Sequence, residues 1–162
     1  MKRFILTMAA FLIALGASAQ QWGVGGRIGA GLQAQGEYTF SNNNYIEARF
    51  GMSWCEVGAT LMADFTAIYQ WDVLTMNWTP RAGQWFMDAG VGVGVGGRGN
   101  YAYVGPVGAV KLGIKLNRVP LKIAVDWTPM FGMSIAYGGG HSYTEFHEYG
   151  LANFGLSCVY CF

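Results

Sequence analysis

The sequence predicts an all-β protein, an eight-stranded antiparallel transmembrane β-barrel of up-and-down topology. Three observations predict it. Apolar and polar residues alternate with a period of two over most of the chain, as they do along strands whose two faces meet different surroundings. Hydrophobic residues make up 52% of the chain and charged residues only 12%, yet beyond residue 19 no apolar run has the ~20 residues of a spanning helix. The charged residues of that part of the chain also fall on one strand face or in turns.

The first 19 residues have the layout of a cleaved secretory signal peptide. Lys2 and Arg3 form a basic start, an apolar run follows from Phe4 to Leu15, and small residues precede a cleavage site after Ala19. We therefore expect an exported protein whose barrel comprises residues 20–162.

Eight segments of that region alternate strongly enough to be strands. They cover residues 22–28, 31–40, 45–54, 57–71, 85–96, 104–116, 121–130 and 150–162. Most have the ~9–11 residues that a tilted strand needs to cross a bilayer. The turns at 41–44, 72–84 and 117–119 lie at the end that holds both termini. The connections at 29–30, 55–56, 97–103 and 136–149 lie at the opposite end.

The two faces of these strands differ completely in charge. The apolar face carries none, whereas the other face carries five acids and five bases: Arg27, Glu37, Glu47, Arg49, Asp64, Asp88, Lys111, Lys115, Lys122 and Asp126. A soluble barrel would place this polar face in water, where it has too few charges to solvate the protein. A membrane barrel places it inside and the apolar face in lipid, where a mid-membrane Lys or Arg would cost ~2–4 kcal/mol. The charge distribution therefore favours the membrane barrel.

Equal numbers of acids and bases inside so narrow a barrel predict a filled lumen with a salt-bridged network, since unpaired buried ions are costly. Glycines 90, 92, 94 and 96 share the inward face of one strand. They leave room for long side chains opposite, such as Arg49 or Lys111, or else they line a small pocket or water channel.

Aromatic residues cluster near the end that holds the termini, as in the aromatic girdle of a membrane protein. They are Trp22, Phe40, Tyr69, Trp71 and Trp85, together with Tyr160 and Phe162. The predicted loop at 136–149 holds His141 and His147 with Ser142, Glu145 and Glu148. This set could serve a lipid-modifying enzyme or a zinc site, but a solvated polar loop is the simpler interpretation. We expect no catalytic residue, metal or other cofactor, and the near balance of charge excludes a nucleic-acid partner.

With these residues in view, the chain resembles the small eight-stranded outer-membrane barrels, the superfamily that includes OmpX-like and OmpA-type transmembrane domains. The resemblance rests on residues 45–54, 63–71, 85–97 and 119–131 and on the last residue, Phe162. It implies outer-membrane lipid, the barrel assembly machinery and periplasmic chaperones as partners, with Tyr160 and Phe162 as the assembly signal of a monomeric barrel. We expect no wall-tethering role of the OmpA type and, because the first two predicted outer loops are short, no large adhesive surface.

Three functions are compatible with this sequence. The first is a closed structural or surface-interaction barrel, with loop 136–149 supplying any recognition. The second is a narrow porin that uses the inward glycines. The third is a lipid-modifying enzyme that uses His141 or His147.

Overall fold

The structure, a computed structural model, describes residues 21–41, 44–55, 60–138, 141–147 and 151–162. The signal-peptide prediction for residues 1–19 lies outside this part of the chain. The described residues contain no helix of the length and hydropathy that a membrane-crossing helix needs.

Within the described ranges, all regular elements are antiparallel strands of one closed sheet. The ten strand segments are β1 (Trp22–Ile28), β2 (Gly31–Ser41), β3 (Asn44–Cys55), β4 (Thr60–Met76), β5 (Gly83–Arg98), β6 (Tyr101–Leu116), β7 (Leu121–Trp127), β8 (Gly132–Gly138), β9 (His141–His147) and β10 (Phe154–Cys161). Each pairs with its neighbour in the chain from β1 through β7, and β10 closes the ring by pairing with both β7 and β1.

Ten segments form eight barrel strands because the last two strands are interrupted. Long strand β6 pairs with β7 through residues 110–115 and with β8 through residues 101–104, so β7 and β8 lie along one path. β9 pairs with β8, and β10 pairs with β7, so β9 and β10 form the eighth strand. The predicted eight-stranded up-and-down barrel is confirmed.

The interruption of the seventh strand has a local cause. Pro129 has no N–H group and cannot donate to a sheet ladder, so the predicted strand 121–130 already ends at Trp127. The flanking backbone groups keep the register of the adjoining strands: the N–H of Thr128 donates to Asn153 O (2.9 Å), beside the Trp127–Phe154 pair, and the N–H of Phe131 donates to Pro106 O (3.1 Å), beside the Met130–Val107 bridge.

Two predicted connections were wrong. The segment 72–84 is mostly strand, since β4 and β5 stay paired as far as Met76 and Trp85, past a register shift between Asp72 and Leu74. The predicted loop 136–149 lies largely in the β8–β9 hairpin, whose register runs from Gly132 opposite His147 to Gly138 opposite His141. The sequence of β9, HSYTEFH, has polar residues on both faces, so the alternation that reveals the other strands is missing there.

The burial of the side chains is inverted relative to a soluble barrel. Large apolar residues on the outward face are exposed, for example Ile28 (63%), Phe50 (64%) and Val91 (58%). The cross-strand register keeps these residues in one surface, since Ala34 pairs with Phe50, Phe50 with Phe65, and Phe65 with Val95. Four of the buried apolar residues, Ile68, Val107, Ala109 and Met130, form a small cluster inside the barrel, with Tyr103 packed against it.

Candidate functional site: a buried network of charges

Nine of the ten charged residues predicted to face inward are buried inside the barrel. Their relative exposures lie between 0% for Glu47 and Lys111 and 6% for Asp64. They reach the interior because each lies at one of the alternate positions of its strand that face inward. The register then sets their neighbours: Asp88 lies opposite Lys111, and Lys111 opposite Asp126. Strand pairing therefore concentrates ions of both signs in one narrow space.

At one end of this network, Arg27 binds Asp126. The Arg27 Nε donates to both carboxylate oxygens, at 2.8 and 3.0 Å, and the Nη2 lies 2.7 Å from Oδ1. The remaining guanidinium donors reach Gln33 Oε1 (3.3 Å) and Asn153 Oδ1 (3.0 Å). The planar guanidinium thus finds several acceptors in fixed directions, a geometry that suits arginine better than lysine.

In the middle of the network, Arg49 joins two carboxylates. It forms an ion pair with Glu47, and its Nη1 lies 3.6 Å from Asp126 Oδ1. The same Nη1 donates to the Thr128 hydroxyl (3.0 Å), which in turn donates to Asp126 Oδ1 (2.9 Å). Asp126 is therefore shared by two arginines and a threonine.

The lysines extend the network toward the end that holds both termini. Lys111 forms an ion pair with Glu47 and lies 3.3 Å from Glu37 Oε1. Lys122 Nζ lies 3.1 Å from Glu37 Oε2 and 3.6 Å from Asp88 Oδ2. The contacts join eight ions into one unbroken chain from Arg27 to Asp88, in which cations and anions alternate.

Two aromatic rings complete this end of the network. The Tyr45 hydroxyl donates to Asp88 Oδ2 at 2.6 Å. Lys122 Nζ lies 4.0 Å from the centre of the Tyr45 ring and 4.9 Å from that of Phe86, within the range of cation–π attraction. The ammonium group of Lys122 is thus surrounded by two carboxylates and two ring faces.

Asp64 stands apart from the other buried acids. Its Oδ2 accepts a hydrogen bond from the Gln33 amide, while its Oδ1 is buried without a hydrogen-bond partner. Among the described residues, none of the ion pairs includes Asp64, although Gln33 connects it to Arg27.

Lys115 does not join the buried network, so its predicted place there was wrong. Its side chain is exposed, with Nζ 5.4 Å from the centre of the Phe86 ring. Lys115 lies next to the turn that follows β6, and the residue opposite it on β7 is the like-charged Lys122. The buried set therefore holds four bases and five acids rather than five of each.

The inward glycines of β5 make room for neighbours other than Arg49 or Lys111. A Cβ atom on Gly90 would meet the Gln70 side chain, and one on Gly96 would meet the Tyr103 ring. On Gly94, the Cβ would lie 3.0 Å from Met130 Sδ and 3.2 Å from Val107 Cγ2. Side chains of β4, β6 and the 128–131 segment thus fill the space beside these glycines.

The alternation of inward and outward positions also places on the inward face several network residues that were not predicted as site residues. Tyr45 shares the parity of Glu47, Phe86 that of Asp88, and Thr128 that of Asp126. Asn153 gave the same signal, since it falls in the predicted strand 150–162 in phase with the buried Ser157, although in the structure it lies just before β10.

The predicted girdle residues lie on the outer surface at the end that holds both termini. Ring contacts connect Trp22, Tyr38, Phe40, Tyr69 and Trp71 in an unbroken series, with centroid distances between 4.7 and 6.1 Å. Trp85 packs on Trp78 at 5.4 Å, and Tyr160 packs on Phe162 at 5.2 Å.

His141 and His147 lie at the two ends of β9. Their side chains, and those of Ser142, Glu145 and Glu148, lie outside the described part of the structure. The alternative of a catalytic or zinc site at these residues therefore stays a prediction.

Comparison of the chain with protein-family models and with curated proteins gives no match.

Proposed function

We propose that this protein is an integral barrel of a bacterial outer membrane, with a filled and charge-paired lumen and a structural or surface-interaction role. The observation that carries the proposal is the inverted barrel. Its outward face is apolar and exposed, while Arg27, Arg49 and Lys111 are at most 1% exposed inside. In water this arrangement would be unfavourable for two reasons. Apolar surface would stay in contact with solvent, and charged groups would be withdrawn from it.

The outward face supports a lipid environment. Monomeric soluble proteins rarely expose apolar patches larger than a few hundred Å². Here exposed apolar residues continue across the strands, as in the row of Phe50, Phe65, Val95 and Val104, of which Phe50 is 64% exposed. The connected aromatic rings at the end with the termini match the preference of Trp and Tyr for the membrane interface.

The lumen supports a closed barrel. An eight-stranded barrel is only wide enough for its own side chains. The ion chain from Arg27 to Asp88 crosses this space, and the apolar cluster around Met130 lies beside it. Opening a path would separate paired ions that have no water to replace their partners, which would cost several kcal/mol.

The location and the partners form part of the same proposal. An outer-membrane barrel requires export, for which residues 1–19 would be the cleaved signal, and it requires periplasmic chaperones and the barrel assembly machinery. Membrane lipid is then the main partner of a monomer. Within this proposal, the resemblance to OmpX-like and OmpA-type barrels supports membership in that superfamily.

Two measurements test the proposal. The chain without residues 1–19, refolded in detergent, should give β-rich circular dichroism and a gel mobility that changes on heating. Folding into a monomer that stays soluble without detergent would contradict the membrane location. In planar bilayers we expect no stable unitary conductance. A reproducible conductance would instead establish the narrow porin.

A further inference from the structure

The charged residues outside the lumen are unevenly distributed between the two ends of the barrel. In the part of the chain whose side chains are described, the end with both termini carries Arg81, Lys115 and Arg118, all exposed, and one acid, Asp72. Asp72 accepts a hydrogen bond from the Thr75 hydroxyl (2.9 Å), and none of the described ion pairs involves the three bases. This end therefore presents a net positive rim.

The backbone brings these bases together. The N–H of Asn117 donates to Ala82 O (3.2 Å), and its side-chain Nδ2 donates to Pro80 O (2.8 Å). These two bonds join the turn before β5 to the turn after β6, and Arg81 and Arg118 each lie one residue from the Asn117–Ala82 bond. Lys115 lies opposite Gln84 in the same pair of strands.

Two tryptophans border this basic surface. Trp78 is 61% exposed, and its ring centre lies 5.4 Å from that of Trp85. The indole N–H of Trp85 donates to the Thr79 hydroxyl (2.8 Å), which holds the ring in place beside the turn. Indole rings prefer the depth of the lipid headgroups, where an apolar ring and a polar N–H are both accommodated.

We propose that Trp78, Arg81, Trp85, Lys115 and Arg118 form a surface that binds the phosphate headgroup of an anionic phospholipid in the adjoining leaflet. This inference rests on the proposed membrane location. Guanidinium and ammonium groups are the side chains that pair with phosphate, and arginine does so with two parallel hydrogen bonds. The adjacent tryptophans favour a lipid as the source of that phosphate, since they place the bases at headgroup depth.

The test uses the barrel refolded in vesicles of phosphatidylcholine with a minor share of phosphatidylglycerol. Tryptophan quenching by brominated forms of each lipid gives the relative binding constant of the anionic lipid. We expect a selectivity of at least about fivefold, the effect of one basic side chain near an anionic surface. In a triple variant, Arg81→Gln, Lys115→Gln and Arg118→Gln, the selectivity should fall toward one.

Arg98→Gln is the matched control, because Arg98 is also exposed but lies at the opposite end of the barrel. It should keep the selectivity of the unaltered protein. The inference is wrong if the triple variant keeps its selectivity, if Arg98→Gln loses as much, or if excess inorganic phosphate displaces the lipid. Failure to insert into any vesicle would overturn the proposed membrane location as well, whereas insertion without selectivity would overturn the headgroup surface alone.

Discussion

Asp126 is the carboxylate of the buried network that two arginines share. It accepts from Arg27 at 2.8 and 3.0 Å, lies 3.6 Å from Arg49, and accepts from Thr128 at 2.9 Å. Buried ion pairs are costly to form, but removing one partner is costlier, since the other charge is then left in the interior without compensation. Removal of Asp126 alone should therefore destabilise the protein strongly, even if the ion pairs themselves add little net stability.

We expect Asp126→Ala to lower the free energy of unfolding by ~3–5 kcal/mol, because Arg27 loses its carboxylate and Arg49 loses one of two. The measurement is denaturant unfolding of the barrel in detergent micelles. Asp64→Ala is the control, since Asp64 accepts only the Gln33 amide and should lose much less. Equal losses in the two variants would mean that ion pairing does not explain the role of Asp126.

At the residue scale, sequence analysis predicted which charges face inward but not how far inside each one lies. Odd and even positions along a strand face opposite sides, so the polarity of alternate residues was enough to predict the nine buried ions. It treated Lys111, Lys115 and Lys122 alike, although Lys111 and Lys122 are buried and Lys115 is exposed beside Phe86. The depth of a side chain inside the barrel depends on strand tilt and register, and the alternation of residues carries no information about either.

Among the elements, β5 shows how the part of a strand whose inward positions are all glycine, residues 90–96, is stabilised by its neighbours. Gly94 is buried, and Met130 and Val107 pack against it from outside the strand. Met130 can do so because it faces the interior, as Asp126 and Thr128 do, while the backbone around it stays bonded to β6 through Gly108 N–H to Pro129 O (2.9 Å) and Phe131 N–H to Pro106 O (3.1 Å). The glycines of β5 and the segment that follows β7 thus form one packing arrangement.

We expect Gly94→Val to destabilise the barrel by ~1–3 kcal/mol, because its new atoms would overlap Met130 and Val107. Met130→Ala should be destabilising alone and should relieve part of the loss when combined with Gly94→Val, which a double-mutant cycle would measure. Gly36→Val is the control, since a Cβ there meets no atom within 4 Å. Additive losses at positions 94 and 130 would contradict the proposed contact.

The interrupted strands are the part of the fold that the pattern of residues predicts least well. The pattern predicted a loop at 136–149, where β8 and β9 form a hairpin, and it continued the seventh strand through Pro129. Strands that are apolar on one face are evident from alternation, but a strand with polar residues on both faces, such as β9, is held by backbone hydrogen bonds that every sequence can make. Only the pairing partner reveals it.

On the scale of the whole molecule, the proposal requires the outward face to meet lipid. Val93→Lys should then cost ~2–4 kcal/mol and lower the fraction that inserts into vesicles, because its ammonium would lie in the hydrocarbon layer. The assay is the fraction of heat-modifiable protein after refolding with vesicles. Val93 is 57% exposed, so a soluble barrel would tolerate the lysine. Val119→Lys, in a turn at the end of the barrel, is the control and should insert normally.

The sequence by itself determined the number of barrel strands, their antiparallel order and the polarity of each face. These properties are local, since neighbouring side chains on a strand point to opposite sides and polarity decides which side is buried. Only the tertiary structure decided which ions pair. Arg27 and Asp126 lie 99 positions apart, and Lys111 and Glu47 lie 64 positions apart. Their contacts depend on the register with which the barrel closes, a property of all eight strands together.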